Sequence, residues 1–140
     1  MTAGRPPGVL FVCVRNSGKS QLAAALMRAR AGSRIAVASA GTAPGTALNA
    51  LSVASLAELG LDVGDEHPKP VTNELLARAD LVVVLGSEAR LDSGEVPQRV
   101  WVTDEPSDRG IDGIERMRLV RDDIARRVEA LADELLSANL

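Results

Sequence analysis

Apolar residues run without interruption from Val9 to Val14 and again from Leu81 to Leu85. That is the pattern of strands covered on both faces, not of strands with one wet face. Ile35 to Ala38 and Val100-Trp101-Val102 add two shorter apolar runs, so four strands are expected. Between them the period changes. Gln21 to Ala31 is rich in Ala and Leu, which enter helices at little cost, and it stops at Gly32. Leu48, Leu51, Ser52, Ser55, Leu56 and Leu59 fit one helical face, with Gly60 placed to end it. Thr72 can cap a short helix over Asn73 to Ala79. The last helix opens with Asp112 and Glu115 at capping-box spacing. Its apolar positions Met117, Val120, Ile124, Val128, Leu131 and Leu135 recur every three or four residues.

Buried-type strands that alternate with helices predict a three-layer α/β domain: a four-stranded parallel sheet with helices on both faces. Right-handed crossovers reverse the strand order beside strand one, and ligands bind at that switch, off the carboxyl ends of the strands. Cys13 and the loop after it lie there. No repeat, low-complexity tract or linker divides the chain. It is read as a single domain over 1–140, with 1–7 as a flexible leader.

Composition narrows what such a domain binds. With one Phe, one Trp and no Tyr, Leu, Val, Ile and Ala must supply nearly all the core. Aromatic platforms for single-stranded nucleic acid are missing, and a net charge of -3 gives no footprint for duplex DNA. One cysteine allows no internal disulfide, and one Cys with one His falls short of a closed zinc site. No metal and no nucleic-acid partner is expected. The first residues lack the apolar stretch of a secretory signal, and Val9–Val14 is far too short to span a membrane. A cytoplasmic protein without a membrane partner is expected.

Cys13-Val14-Arg15-Asn16-Ser17-Gly18-Lys19-Ser20 reads as a strand–loop–helix unit. Backbone N–H groups of a tight loop at a helix N-terminus form a nest for a tetrahedral oxyanion, here from Val14, Arg15, Asn16, Ser17, Gly18 and Lys19. Gly18 allows close backbone approach, Asn16 tolerates a left-handed conformation, and Lys19 adds a cation. The same donors favour a thiolate at the start of the loop, and Ser20 can donate its hydroxyl to that sulfur. A thiolate held against a bound oxyanion is arranged for in-line attack on the central atom. Alone, Cys13 would read as a small buried hydrophobe; its neighbours make it a nucleophile. Gly18-Lys19-Ser20 also matches the end of the nucleotide-binding pattern G-x-x-x-x-G-K-[ST]. Cys13, however, occupies the first glycine position, and the Leu81–Leu85 strand runs into Gly86-Ser87, not an Asp.

The loop resembles C-x-x-N-x-x-R-S, the signature of low-molecular-weight protein tyrosine phosphatases and of the arsenate reductases built on the same fold. Cys13, Asn16 and Ser20 match, and Lys19 stands where the arginine would be. Ser39-Ala40-Gly41-Thr42, the Leu81–Leu85 strand and the Trp101–Pro106 segment extend the likeness over nearly the whole chain. The form C-V-x-N-x-G-K-S-Q, with W-x-x-[DE]-E-P and Glu115-Arg116-Met117-Arg118, is most similar to the mycothiol-dependent arsenate reductases (arsenate–mycothiol transferases).

That resemblance implies a low-molecular-weight phosphatase-like fold and arsenate as substrate. It implies Cys13 as nucleophile, assisted by Lys19 and Ser20. The phosphatases carry a general-acid Asp before a proline; the position here is Glu105, before Pro106, and a glutamate can make the same proton transfer. Asp104 is the neighbouring candidate. Relatives coupled to thioredoxin relay a disulfide through extra cysteines, and the corresponding stretch, Leu85-Gly86-Ser87-Glu88-Ala89, has none. The second thiol must then come from outside. The resemblance implies mycothiol as co-substrate, no bound cofactor, and mycoredoxin as the partner that reduces the arseno-mycothiol product. Two alternatives stay open: a low-molecular-weight protein tyrosine phosphatase (or other small-phosphoester phosphatase), and a non-catalytic anion-binding module. An ammonium is a point charge where a guanidinium grips two oxygens, so Lys19 predicts weak activity on aryl phosphates.

Other polar residues are assigned no chemistry. His67 reads as a loop residue and Trp101 as packing beside the site. Ser39 is placed to line the site. The glutamate that potassium-binding relatives use eleven residues after the cysteine is Ala24 here, so no potassium site is expected. Arg116, Arg118, Arg121, Arg126 and Arg127 are expected on the wet face of the last helix.

Overall fold

The structure is a computed structural model, and it describes residues 4–137. Strands β1 (Gly8–Cys13), β2 (Ala36–Gly41), β3 (Leu81–Leu85) and β4 (Gln98–Trp101) form one parallel sheet in the order β2-β1-β3-β4. Every residue of β1 and β3 is buried, as unbroken apolar runs require when both faces are covered. Successive side chains serve opposite layers. Val9, Phe11, Cys13, Leu81, Val83, Leu85 and Trp101 share one core with α1 (Lys19–Ala31), α2 (Ala50–Ala57) and α4 (Gly113–Ser137). Leu10, Val12, Val82 and Val84 face the other way, under α3 (Asn73–Arg78) and Val71, Leu91 and Val96 of the connections. Both faces carry helix, as expected, but unequally: three helices on one side and a six-residue helix on the other.

Several expectations need correction. β4 starts and ends earlier than its apolar run, because the ladder to β3 and not side-chain character defines it; Val100 on this edge strand and Val102 just beyond it are exposed. On α2 only Ser52, Ser55 and Leu56 of the expected face are buried, and Leu51 and Leu59 are exposed. Small serines let α2 sit close to α4, with Ser52 Oγ 3.6 Å from Met117 Sδ. The expected capping box at Asp112 and Glu115 is replaced by a glycine start. Gly113 has φ +64, and Asp112 offers its backbone carbonyl to the Arg116 N–H. Thr72 caps α3 as expected, accepting from the Leu75 N–H at 3.1 Å. The expected leader is held down from Arg5 onward: Arg5 pairs with Asp80 at 2.9 Å, and buried Pro7 accepts from the Ala36 N–H. Residues 1–3 lie outside the described residues. Among the described residues no helix is long and apolar enough to cross a membrane.

Arg118 is exposed, as expected for the wet face of α4, but Arg121 is not. Arg121 is buried, and its Nη1 donates to the Ser55 carbonyl at 2.8 Å and to Glu58 at 2.9 Å, while Arg118 grips the same carboxylate. This clamp ties α4 to the end of α2. Hydrogen bonding from Arg118, against an opposing desolvation and with help from Arg121, holds the Glu58 carboxyl at about 2, below the ordinary 4.5. A carboxyl depressed on folding adds stability above its ordinary pKa and loses it as pH falls through the folded one. Tm should therefore drop more steeply between pH 4.5 and 2 in the wild type than in Glu58→Gln. Parallel profiles would show that the clamp contributes nothing.

Candidate active site

β1 delivers Cys13 to the carboxyl edge of the sheet, at the point where the strand order reverses. The chain then turns around Asn16, whose φ of +54 is the one positive value for a non-glycine among the described residues. Buried Asn16 is fixed on three sides. Its Oδ1 accepts from Gln21 Nε2 at 3.2 Å and from the Lys69 N–H at 3.1 Å, and its Nδ2 donates to Ser20 Oγ at 2.8 Å. The Ser20 hydroxyl proton is thereby left for Cys13 Sγ, 2.9 Å away, and the Asn16 N–H reaches the same sulfur at 3.2 Å. Two donors aimed at one sulfur are the surroundings of a nucleophile, not of a space-filling cysteine.

The outer side of the loop is zipped to the segment after β2. N–H groups of Thr42, Ala43, Gly45 and Asn49 donate to the carbonyls of Cys13, Val14, Arg15 and Ser17 at 2.8–3.1 Å. In a trans peptide the carbonyl and the following N–H point in opposite directions. Each carbonyl drawn outward therefore turns an amide inward: Val14, Arg15, Asn16 and Gly18. The Asn16 N–H on the sulfur follows that rule. α1 then begins at Lys19 with no side-chain cap and no acidic residue in its first turn, so its positive N-terminal end is left for a ligand. The close approach depends on Gly41: a Cβ there would lie 2.6 Å from the Val14 carbonyl oxygen and 3.0 Å from Asn16 Cβ.

A cleft of about 390 Å³ opens over Cys13. The loop contributes Val14, Arg15 and Lys19; the end of β3 contributes Leu85 to Glu88; Val102, Thr103, Glu105 and Arg116 close the far wall. Of the remaining expected residues, Ser17 and Gly18 line an adjoining crevice that shares Lys19 and Arg116, and Asn16 and Ser20 are buried beneath the loop. Asp104 is not on the cleft wall; it pairs with Arg109 at 2.8 Å. Trp101 packs on Phe11, with ring centroids 5.8 Å apart. His67 offers its carbonyl to Gln21 and Lys69. A larger cleft of about 490 Å³ behind α1 is lined by no nucleophile. Among the described residues no group of three or more His, Cys, Asp or Glu could hold a metal ion.

Glu105 reaches the cleft, paired with Arg116. Arg116 donates to both its oxygens, at 2.8 and 2.9 Å, and Ser107 Oγ donates to Oε2 at 2.9 Å. The Arg116 hydrogen bonds, outweighing desolvation, hold the carboxyl at about 2. In this pairing Glu105 is a carboxylate, and the expected general-acid role would require it to leave Arg116 and take up a proton. Arg116 itself corrects the wet-face expectation, because it is half-buried in the cleft wall. Gln21, Gly41, Thr103 and Arg116 are the site residues that sequence reasoning passed over. Gln21 and Arg116 lie inside motif segments, but no local spacing links either one to Cys13. Thr103 Oγ1 is buried without a partner, and nothing in its neighbours announces that.

The low molecular weight phosphotyrosine protein phosphatase family matches residues 8–99. The chain belongs to that family. Its α/β fold, a four-stranded parallel sheet with helices, is the family's own. Among similar proteins is a putative arsenate reductase of Halobacterium salinarum, 32% identical over 130 residues that cover 89% of each chain. A glutaredoxin arsenate reductase of Synechocystis sp. is 30% identical, covering 88% of this chain and 94% of the relative. In structure, a thioredoxin-dependent arsenate reductase of Corynebacterium glutamicum superposes with a TM-score of 0.79 at 30% identity. It covers 98% of this chain, which spans 65% of that longer one.

Gly41→Ala tests the zipper. Overpacking of this kind costs about 1–3 kcal/mol, and here it also displaces the amides that face the anion. The variant should lose several degrees in Tm and more than about tenfold in oxyanion affinity. Wild-type affinity in a folded Gly41→Ala protein would show that the contact is dispensable.

Proposed function

We propose that this member of the family is an arsenate reductase of the thiol-transfer type, in which Cys13 attacks arsenate and mycothiol carries the arsenic away. One observation carries the reading. Cys13 Sγ sits at the head of the inward-turned amides with Ser20 and Asn16 donating to it, and it is the only thiol the chain has. The names of the relatives support arsenate as the oxyanion. Those names also differ in the reductant, thioredoxin in one and glutaredoxin in another; the single cysteine of this chain supports an external thiol, and mycothiol rests on the sequence resemblance.

Arsenate bound against the amides of Val14, Arg15 and Gly18, with Lys19 beside it, presents arsenic to the thiolate. A sulfur–arsenic bond forms and an arsenic–oxygen bond breaks. The oxygen leaves as water, with protons from arsenate's own hydroxyls and from solvent. Glu105 is assigned no part in that transfer. The cysteine adduct then needs a second thiolate, and the wall nearest the end of β3 offers Ser87 and Glu88. A small thiol entering the cleft attacks arsenic, and Cys13 departs as the regenerated thiolate. Arsenic is still pentavalent in the arseno-mycothiol product. The two electrons that make it trivalent come from the dithiol partner, mycoredoxin, outside this chain. Such a thiol cycle belongs in a reducing cytoplasm.

The test is reconstitution with arsenate, mycothiol, mycoredoxin, and NADPH with the reductase that regenerates mycothiol. Turnover should require every component and should fall at least about a thousandfold in Cys13→Ser. Thioredoxin with its own reductase should not replace mycothiol and mycoredoxin. Efficient cleavage of an aryl phosphate, with arsenate acting only as an inhibitor, would replace this reading with that of a phosphatase.

A further inference from the structure

Two cations, Lys19 and Arg116, stand on the cleft wall, and a single carboxylate, Glu105, lies between them. How that carboxylate is shared decides how much positive charge an incoming oxyanion meets. The sharing is uneven. Arg116 takes both oxygens, Nε to Oε2 at 2.8 Å and Nη2 to Oε1 at 2.9 Å. Lys19 Nζ stands 3.7 Å from Oε1, a loose ion pair beyond hydrogen-bonding length. We propose that Arg116 is a positioning residue for oxyanion binding: by occupying Glu105 it keeps the Lys19 ammonium free for the anion at the Cys13 loop.

The physical reason is competition for one charge. Lys19 and Glu105 alone would form a neutral pair at the mouth of the anion site; with Arg116 the three groups carry a net single positive charge. A planar guanidinium matches two carboxylate oxygens at once, whereas an ammonium on a flexible stem follows the nearest anion. Removing Arg116 would thus let Lys19 close on Glu105 and leave the amides to hold the oxyanion with less help. Ser107 Oγ reinforces the arrangement by donating to Oε2 on the side away from Lys19. The other charged groups on the cleft, Arg15 and Glu88, are opposite in sign and do not compensate. The Lys19 and Glu105 side chains are 27% and 34% exposed, so water and salt weaken the effect without abolishing it. An arginine at position 19 would need less protection, since its fork can serve a carboxylate and an oxyanion together.

This inference rests on the Cys13 loop binding an oxyanion, and not on which oxyanion or thiol the reaction uses. Inorganic phosphate is therefore the probe, and its occupancy is read from protection of Cys13 against alkylation by iodoacetamide in the full chain. Arg116→Gln should bind phosphate about tenfold more weakly. Glu105→Gln/Arg116→Gln should recover most of that loss, because the competitor for Lys19 has gone. Arg116→Lys should fall between the wild type and Arg116→Gln, and it carries the comparison, with Glu105→Gln/Arg116→Lys, where Arg116→Gln does not fold. A merely structural tie between α4 and the segment after β4 predicts a double variant no better than the single one, and that result would overturn the proposal. Unchanged phosphate protection in a folded Arg116→Gln would do the same. If neither phosphate nor arsenate protects Cys13 in the wild type, the loop is not an oxyanion site, and the proposed function falls together with this inference.

Discussion

The site depends on where four carbonyl groups point. Cys13, Val14, Arg15 and Ser17 give their carbonyls to the segment after β2, and planar trans peptides then turn the following amides toward the cleft. No side chain could supply such a row of donors at fixed angles with so little entropy to lose. The helix adds to it by starting without a cap, so the first amides of α1 are left with no competitor inside the chain. What looks like loop chemistry is thus a property of the sheet: β1 and β2 are in register from Gly8 with Ala36 to Cys13 with Gly41. That register brings the two connecting segments together at their roots. Gly41 is the residue at which this closeness is decided, because any side chain there meets the Val14 carbonyl.

Beneath the amides lies a second layer that fixes the sulfur. Asn16 takes a left-handed backbone and is held there by Gln21 from α1 and by the Lys69 amide from the loop before α3. Its amide group then orients the Ser20 hydroxyl, and Ser20 addresses Cys13. This is a chain of buried polar groups in which each donor has an acceptor, so it is rigid instead of costly. The sulfur and the amides are positioned by different parts of the chain, and both sets meet at one strand end. A change to either layer therefore has a distinguishable signature: loss of the amides weakens anion binding, and loss of the Asn16–Ser20 relay disturbs the nucleophile.

Much of this could be read from the sequence, and the reason is locality. The apolar runs of β1 and β3, the Ala- and Leu-rich α1 and the Thr72 cap are all decided within a few residues, and so is the Cys13–Ser20 loop. What could not be read involves residues far apart in the chain. Nothing local says that Arg116, on an amphipathic helix thick with arginines, grips Glu105, or that Arg121 is buried against Ser55 and Glu58. A helical pattern says which face is apolar, but a long arginine can lay its stem along that face and still reach a carboxylate. The pairing of Glu105 escaped the sequence for the same reason. The position before Pro106 was legible; the guanidinium that holds it ionised was not.

The lone thiol ties these layers to the choice of chemistry. A bound oxyanion and a thiolate are enough to make an adduct, and a phosphatase would next need a proton donor and an activated water. Of the two carboxylates that line this cleft, Glu105 is held at about 2 by Arg116, far from the working pH at which a good general base or acid titrates. An incoming thiolate needs neither. It is a nucleophile as it arrives, and the leaving group, Cys13, already has two donors waiting for its charge. With its one sulfur held by two donors, the site suits the proposed exchange of one thiolate for another on arsenic better than hydrolysis. The replacement of a bidentate cation by Lys19 pushes in the same direction. Hydrolysis needs the tighter grip on three equatorial oxygens, and thiol exchange draws on the sulfur.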